Sequence, residues 1–306
     1  MARNYRALDG VLLFDKPLEL SSNTALQKVR HLFQADKAGH TGTLDPLATG
    51  LLPVCFGEAT KFSTALLDAD KTYLAKAKLG QVTTTGDAEG EVIASHEVTV
   101  SEAQVVVALQ HFIGEIEQLP PMHSAIKFQG KPLYEYIRKG ETIAREKRRI
   151  TIYALTLVSF SGDELEFSVR CSKGTYVRTL AEDIGAHLGC GAHLIGLRRT
   201  AIAGLDLVDA VSWPELQAMS AAERDSRVLP VDTLLPNYPS LTLDVEQTKR
   251  LAQGQQLVVS TELPEGKLRL YSADQFIGVG SLNGGRLSPE RLSARVAKSA
   301  ANADLT

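Results

Sequence analysis

The stretch Arg149–Ser172 reads RITIYALTLVSFSGDELEFSVRCS. Two strand-like runs, about 149–160 and 164–172, flank Ser161-Gly162-Asp163, a turn signal that closes a hairpin. Toward the N-terminus, Leu133–Lys139 reads as a short helix ended by Gly140, and Leu119-Pro120-Pro121 breaks the chain. Ser101-Glu102-Ala103-Gln104 is a capping-box pattern ahead of the apolar helical run Val105–Phe112. Tyr73, Ala75, Ala77 and Leu79 alternate with lysines, the pattern of a half-buried strand. Further out, a helix is expected over about 58–68, behind the apolar segment Leu51–Phe56. Another is expected over about 23–34, after the cap candidates Ser21-Ser22-Asn23, with a buried strand at Gly10–Phe14. Toward the C-terminus, Thr175 is a candidate cap for a helix from Tyr176 to Leu188, with Gly189 past its end. Leu194–Ile202 reads as a strand, and Ser212-Trp213-Pro214-Glu215 as a second capping box. Interleaved strands and helices with a hairpin give an α+β, or mixed α/β, core.

Near Leu235-Pro236-Asn237-Tyr238-Pro239 the texture changes to short strand-like pieces: Leu241–Leu243, Leu257–Val259, Lys267–Tyr271 and Phe276–Leu282. Two units are therefore expected, 1–236 and 237–306. The second is a small β-rich module with a polar tail from about Ala297. Its place outside the chemistry-bearing motifs predicts a unit that can be removed without losing the fold of the first, unless it covers apolar core surface. The 306 residues, 44% apolar and 23% charged, fit an ordinary globular protein and exclude a largely disordered chain. The polar N-terminus, Met1–Asp9, carries Arg3 and Arg6 with no apolar signal stretch behind it. No run approaches the ~18 apolar residues of a membrane span, and Cys55, Cys171 and Cys190 form no Cys-x-x-Cys pair. The expectation is a cytoplasmic protein without disulfides, metal or membrane contact.

The net charge is −3, but it is unevenly spread. Lys127–Arg149 holds eight basic residues against three acids, whereas Leu205–Glu265 holds four against ten. A globally acidic chain with a locally basic segment can present one face to an anionic polymer. No dinucleotide fingerprint, phosphate loop, zinc-protease helix or nucleophile elbow is present, which disfavours redox, NTP-driven and zinc-dependent chemistry. The densest segment is Ala38–Gly50, AGHTGTLDPLATG, with three glycines, three threonines, His40 and Asp45. Glycine-permitted turns and the restriction that Pro46 places on Asp45 suggest a rigid loop. Asp45 then either caps the segment that follows or aims a nucleophilic carboxylate into a cleft. A carboxylate glycosidase would need a second acid at fixed separation, for which Asp36 and Glu58 are the nearby candidates.

Gly39–Gly50, followed by Leu51-Leu52-Pro53 and Gly57-Glu58-Ala59-Thr60-Lys61, resembles the signature of the TruB family of tRNA pseudouridine(55) synthases. Further blocks resemble that family in order: Gly10–Pro17 with Ser21-Ser22-Asn23, Asp70–Tyr73, Pro120–Lys127 with Leu133–Tyr136, Cys171–Leu180, and Gly189–Leu194 with Leu197-Arg198-Arg199. His123 departs from the tyrosine usual in relatives. The resemblance implies a central mixed, largely antiparallel sheet flanked by helices, with a PUA-like RNA-binding domain after it. It implies Asp45 as nucleophile, paired with Arg178, and Tyr73 stacked on a flipped uracil of the tRNA T-arm. Tyr176, His40 and Leu197 would complete the substrate site. The basic run, with Lys127, Lys131, Arg148 and Arg149, would meet RNA phosphates. The implied reaction needs no cofactor, and the implied partner is tRNA, bound by a monomer. An RNA-binding or tRNA-folding module with secondary catalysis is the other reading. The resemblance leaves open attack at C6, attack at C1′, or passage through a glycal.

Overall fold

The structure, a computed structural model, describes residues 5–124 and 126–293. Arg3, Ala125 and the polar tail expected from Ala297 lie outside the described residues.

In chain order the larger unit begins with β1 (Gly10–Lys16), α1 (Ser22–Leu32), β2 (Ala38–His40) and β3 (Ala48–Phe56), then α2 (Thr64–Leu67) and β4 (Lys71–Leu79). A small hairpin, β5 (Gln81–Thr83) and β6 (Val92–Ser95), precedes α3 (Glu102–His111) and β7 (Gly114–Gln118). A second one, β8 (Lys127–Phe128) and β9 (Lys131–Pro132), leads into α4 (Leu133–Ile137). Then come β10 (Arg148–Ser161), β11 (Glu164–Cys171), α5 (Val177–His187), β12 (Ala192–Ile202), β13 (Leu205–Asp206), β14 (Val211–Ser212), α6 (Trp213–Ala218) and α7 (Ala221–Ser226). The ten strands of the main sheet follow the order β14-β1-β3-β12-β4-β11-β10-β7, with β2 beside β3 and β13 beside β12. Only β1–β14 and β3–β12 pair parallel, so the sheet is mixed and largely antiparallel, as expected.

The hairpin that decides the fold forms as read. Gly162 takes φ +63° between β10 and β11, which pair from Ser161–Glu164 inward. Alternation in β4 buries Lys71, Tyr73, Ala75, Ala77 and Leu79 on one face. That face packs with Leu12, Phe14, Val54, Phe167 and Val169 beneath α1, α3 and α5. The capping box at Ser101 closes with Gln104, and that at Ser212 closes with Glu215. The helix expected over 58–68 is instead a 3-10 turn, Gly57–Lys61, and the four-residue α2. Ala59, Phe62 and Leu66 keep the helical spacing that raised the expectation. The Thr60 and Ser63 hydroxyls donate to the carbonyls of Gly57 and Thr60, a local competition that breaks the helix.

The opposite face of β1 and β3 buries Val11, Leu13, Leu51 and Cys55 with Phe62, Leu66, Leu234 and Leu235. The smaller unit closes over this layer. It comprises β15 (Ser240–Leu243), α8 (Val245–Ala252), β16 (Leu257–Val258), β17 (Gly266–Ser272), β18 (Gln275–Asn283) and β19 (Arg286–Leu292), in a five-stranded sheet of order β15-β17-β18-β19-β16. It has its own core of Leu243, Leu251, Leu268, Leu270, Ile277 and Leu287. Val279 and Phe276, however, join the core of the larger unit, and the Phe276 ring meets Phe62 edge-on with centroids 5.3 Å apart. The Tyr271 hydroxyl donates to Asp232 at 2.5 Å, and Arg269 Nε donates to the Tyr238 carbonyl at 2.8 Å. The unit is thus docked on apolar core surface, which removes the ground for expecting it to be dispensable to the fold of the first. The helix α8, closed by an Asp244–Gln247 capping box, and the strand β19 were not expected from the sequence.

Candidate active site

A cavity of about 360 Å³ opens where the loop between β2 and β3, the start of β4, the middle of β12 and the N-terminus of α5 converge. Asp45, Tyr73, Tyr176, Arg178, Leu197 and Arg199 are among its walls. The Asp45 loop is shorter than its glycines suggested, because β2 and β3 claim both ends and leave residues 41–47. Polar contacts pin it along its length. The buried Ser22 hydroxyl donates to the Leu44 carbonyl at 2.9 Å and accepts from the Leu44 amide at 2.7 Å. The Glu19 amide donates to the Pro46 carbonyl at 2.9 Å. The turn is closed by the Asp45 carbonyl, which accepts from the Ala48 amide at 3.0 Å. Among the described residues the Asp45 side chain accepts from no backbone amide; it faces the cavity.

Its partner is Arg178, the second residue of α5, with a side chain only 7% exposed. One guanidinium nitrogen donates to Asp45 Oδ2 at 2.8 Å and to the His123 carbonyl at 3.0 Å. The other lies 2.9 Å from Asp87 Oδ2 and donates to the Thr85 carbonyl at 3.3 Å. The fork is thus divided between two carboxylates rather than laid bidentate on Asp45. Asp87, 2% exposed, is held in turn by the Thr85 hydroxyl at 2.5 Å and the Glu89 amide at 3.1 Å. Sequence reading missed Asp87, since Thr84-Thr85-Gly86-Asp87 after a strand looks like any polar turn.

The start of α5 is fixed from outside the helix. Gln118, 2% exposed at the end of β7, accepts from the Tyr176 amide at 2.7 Å and donates to the Tyr176 carbonyl at 3.0 Å. Thr175 is not the cap. Its hydroxyl turns back to the Ser172 carbonyl at 3.0 Å, and Tyr176 occupies the cap position with no side-chain cap bond.

Desolvation pushes the Asp45 carboxyl above its ordinary value, although 47% of the side chain remains open to the cavity. Arg178 opposes the shift, Asp87 adds to it, and Lys16 opposes it. Lys16 is fully buried, donating to the carbonyls of Pro17 at 2.9 Å and Leu20 at 2.6 Å; burial brings its ammonium down to about 8. Burial raises the Tyr73 and Tyr176 phenols. The Arg199 charge opposes this at Tyr73, and the nearby Ser124 hydroxyl opposes it at Tyr176.

His40 is the expected site residue that the cavity does not include. It is half-buried on β2, with Nδ1 lacking a hydrogen-bond partner and its pKa lowered by burial. Lys127 and Lys131 are exposed on the β8–β9 hairpin. Arg148 and Arg149 are exposed at the start of β10, but strand alternation sends them to opposite faces. Arg148 shares the face of Ile150 and Ile152 and lines a second cavity of about 200 Å³. That cavity meets the first at Ile126, whereas Arg149 points away.

Against known proteins, residues 30–177 match the TruB family pseudouridylate synthase N-terminal domain. Residues 178–236 match the tRNA pseudouridylate synthase B C-terminal domain, and 239–293 the C-terminal domain of pseudouridine synthase II TruB. The tRNA pseudouridine synthase B of Burkholderia mallei is 56% identical over 299 residues, covering 95% of this chain and 98% of that protein. The protein of the same name from Azoarcus sp. is 54% identical over 289 residues, covering 94% and 96%. A chain from the crystal structure of a Cbf5–Nop10–Gar1 complex shares the fold, with a TM-score of 0.72 at 23% identity over 92% of this chain and 84% of that one. The chain belongs to the TruB family of pseudouridylate synthases.

Proposed function

We propose that the protein isomerises uridine 55 in the T-arm of tRNA to pseudouridine, with Asp45 as the nucleophile. Isomerisation of uridine in tRNA is the activity for which its relatives are named. The observation that carries the assignment to residues is the Asp45 carboxylate, held at 2.8 Å by a buried arginine on the floor of a cavity sized for a small ligand. A module that only binds RNA gains nothing from a carboxylate facing an anionic polymer.

A base in a helical stack cannot enter such a cavity, so the target nucleotide leaves its stack, at roughly a few kcal/mol. The Tyr73 face, beside Asp45, offers stacking worth about 1–3 kcal/mol in return. In the reaction the N1–C1′ bond breaks, a C5–C1′ bond forms, and the proton on C5 is replaced by one on N1. No atom is gained overall. Arg178 holds Asp45 ionised and oriented. Lys127 and Lys131 on the β8–β9 hairpin and Arg148 at the start of β10 supply positive charge for the T-arm backbone; the smaller unit adds RNA contacts remote from the chemistry. Three buried free thiols, Cys55, Cys171 and Cys190, support a cytoplasmic setting.

Incubation with unmodified tRNA transcript, followed by pseudouridine mapping, should place the product at position 55; product elsewhere overturns the target. Asp45→Asn should bind tRNA within a few-fold of wild type and turn over none. Sustained turnover by that variant overturns the nucleophile assignment.

A further inference from the structure

Arg199 has one of the largest fully buried side chains in the molecule, 1% exposed in the middle of the central strand β12. Burying a guanidinium without a carboxylate is costly, yet among the described residues no acid lies within ion-pair distance of it. Its nitrogens are committed elsewhere. Nε donates to the Leu51 carbonyl at 2.8 Å, and a terminal nitrogen donates to the Gly42 carbonyl at 3.1 Å. Arg199 and Tyr73 are direct partners across the antiparallel β12–β4 pair, both buried, and the guanidinium charge acts on the Tyr73 phenol. Gly42 starts the turn that carries Asp45, and Tyr73 supplies the aromatic wall opposite it. One rigid, planar group therefore touches both halves of the site, and both contacts fall inside the cavity lining.

We propose that Arg199 is a positioning residue that sets the Tyr73 ring in register with the Asp45 turn. It works from the side opposite Arg178: Arg178 grips the carboxylate itself, and Arg199 grips the backbone of its turn and faces the phenol across from it. A planar fork with several donors in fixed directions suits this task. A lysine ammonium at the end of a flexible stem could not hold both carbonyls in those directions while facing the Tyr73 phenol. The proposal rests on the reading of Asp45 and Tyr73 given above.

The test is a double-mutant cycle on the full chain with tRNA transcript, combining Arg199→Lys with Tyr73→Phe. Tyr73→Phe keeps the ring and deletes only the hydroxyl on which the Arg199 charge acts. Each single change should lower kcat about tenfold while leaving KM and tRNA affinity within about twofold. The double change should be no slower than the worse single one, because both cut the same link. A guanidinium that merely supports the fold would give losses in kcat that multiply in the double variant, and that result overturns the proposal. Tyr73→Phe with wild-type kcat at saturating tRNA overturns it as well, whether or not Arg199→Lys folds. Asp45→Asn, run alongside, separates the two levels. An active Asp45→Asn sinks the underlying site reading, whereas an inactive Asp45→Asn beside a multiplicative cycle sinks the role of Arg199 alone.

Discussion

Replacing Asp87 with asparagine keeps the shape of the buried side chain and removes its charge. The Arg178 guanidinium, 7% exposed between two carboxylates, then keeps only Asp45, itself 47% open. Removing one partner of a buried ion pair costs about 3–5 kcal/mol; because Asp45 still neutralises Arg178, the loss should fall at the low end, about 3 kcal/mol. For a unit of this size that lowers Tm by about 6–12 °C. A second effect has an independent sign. Asp87 is one of the groups that raise the Asp45 pKa. Without it, and with the guanidinium fork free to turn toward Asp45, the carboxyl titrates at lower pH. Activity that requires ionised Asp45 is lost as pH falls through that pKa, so the acid limb of the kcat profile should move down. Over the plateau kcat should still drop, by about a hundredfold if the reorientation of Arg178 displaces the carboxylate by an ångström. Urea melts and single-turnover kinetics between acid and neutral pH read both quantities. An acid limb that moves up, or a stability within 1 kcal/mol of wild type together with an unchanged kcat, would refute the relay of charge from Asp87 through Arg178 to Asp45.

Arg148→Ala should flatten the salt dependence of tRNA binding by about 0.7–0.9 in slope, one phosphate contact, whereas Arg149→Ala, on the other face of β10, should leave the slope unchanged; equal effects would contradict the facial split. Ending the chain at residue 238 uncovers Phe62, Leu234 and Leu235. At about 1.5–3 kcal/mol for each fully re-exposed side chain and partial exposure here, it should cost about 3–5 kcal/mol, so a fragment with the full-length urea midpoint would contradict the docking. Gly50 takes φ +101°, and a Cβ there would lie 2.3 Å from the Arg199 carbonyl. Gly50→Ala should therefore destabilise by about 3 kcal/mol or more and slow turnover, which thermal melts and kinetics would show.

Much of the sheet was legible because its signals are local. The hairpin glycine, the alternation of β4 and the capping boxes each report on a few consecutive residues. The helix over 58–68 went wrong where hydroxyls compete with the backbone, a contest that hydrophobic spacing does not register. At the site, the motif around Asp45 drew attention through its density of glycine and threonine, and family resemblance carried Tyr73, Tyr176, Arg178 and Leu197. The partners that hold them were silent. Gln118, Asp87 and Ser22 are ordinary polar residues in sequence and acquire a role only where distant segments meet. The docking of the smaller unit was hidden for a related reason: Phe276 and Val279 are three residues apart, which strict alternation would send to opposite faces, and register shifts in the pairing of β18 accompany their joining one core.

The central place of β12 bears on how the molecule is made. Emerging from the ribosome, the chain first yields β1 with β3, then β4, and later β10 and β11, two half-sheets whose facing edges are β3, covered there only by β2 at Val54–Phe56, and β4. The strand that fills the gap is synthesised after all of these. Asp45 and Arg178 are 133 residues apart, and Arg199 and Gly42 157, so the polar frame of the nucleophile joins only once that last strand docks. Contacts at such separation are slow to form, and until then two open strand edges stand exposed to other chains. A nascent chain that ends before Ala192 lacks the strand that joins the two half-sheets, and its facing strand edges are open to other chains.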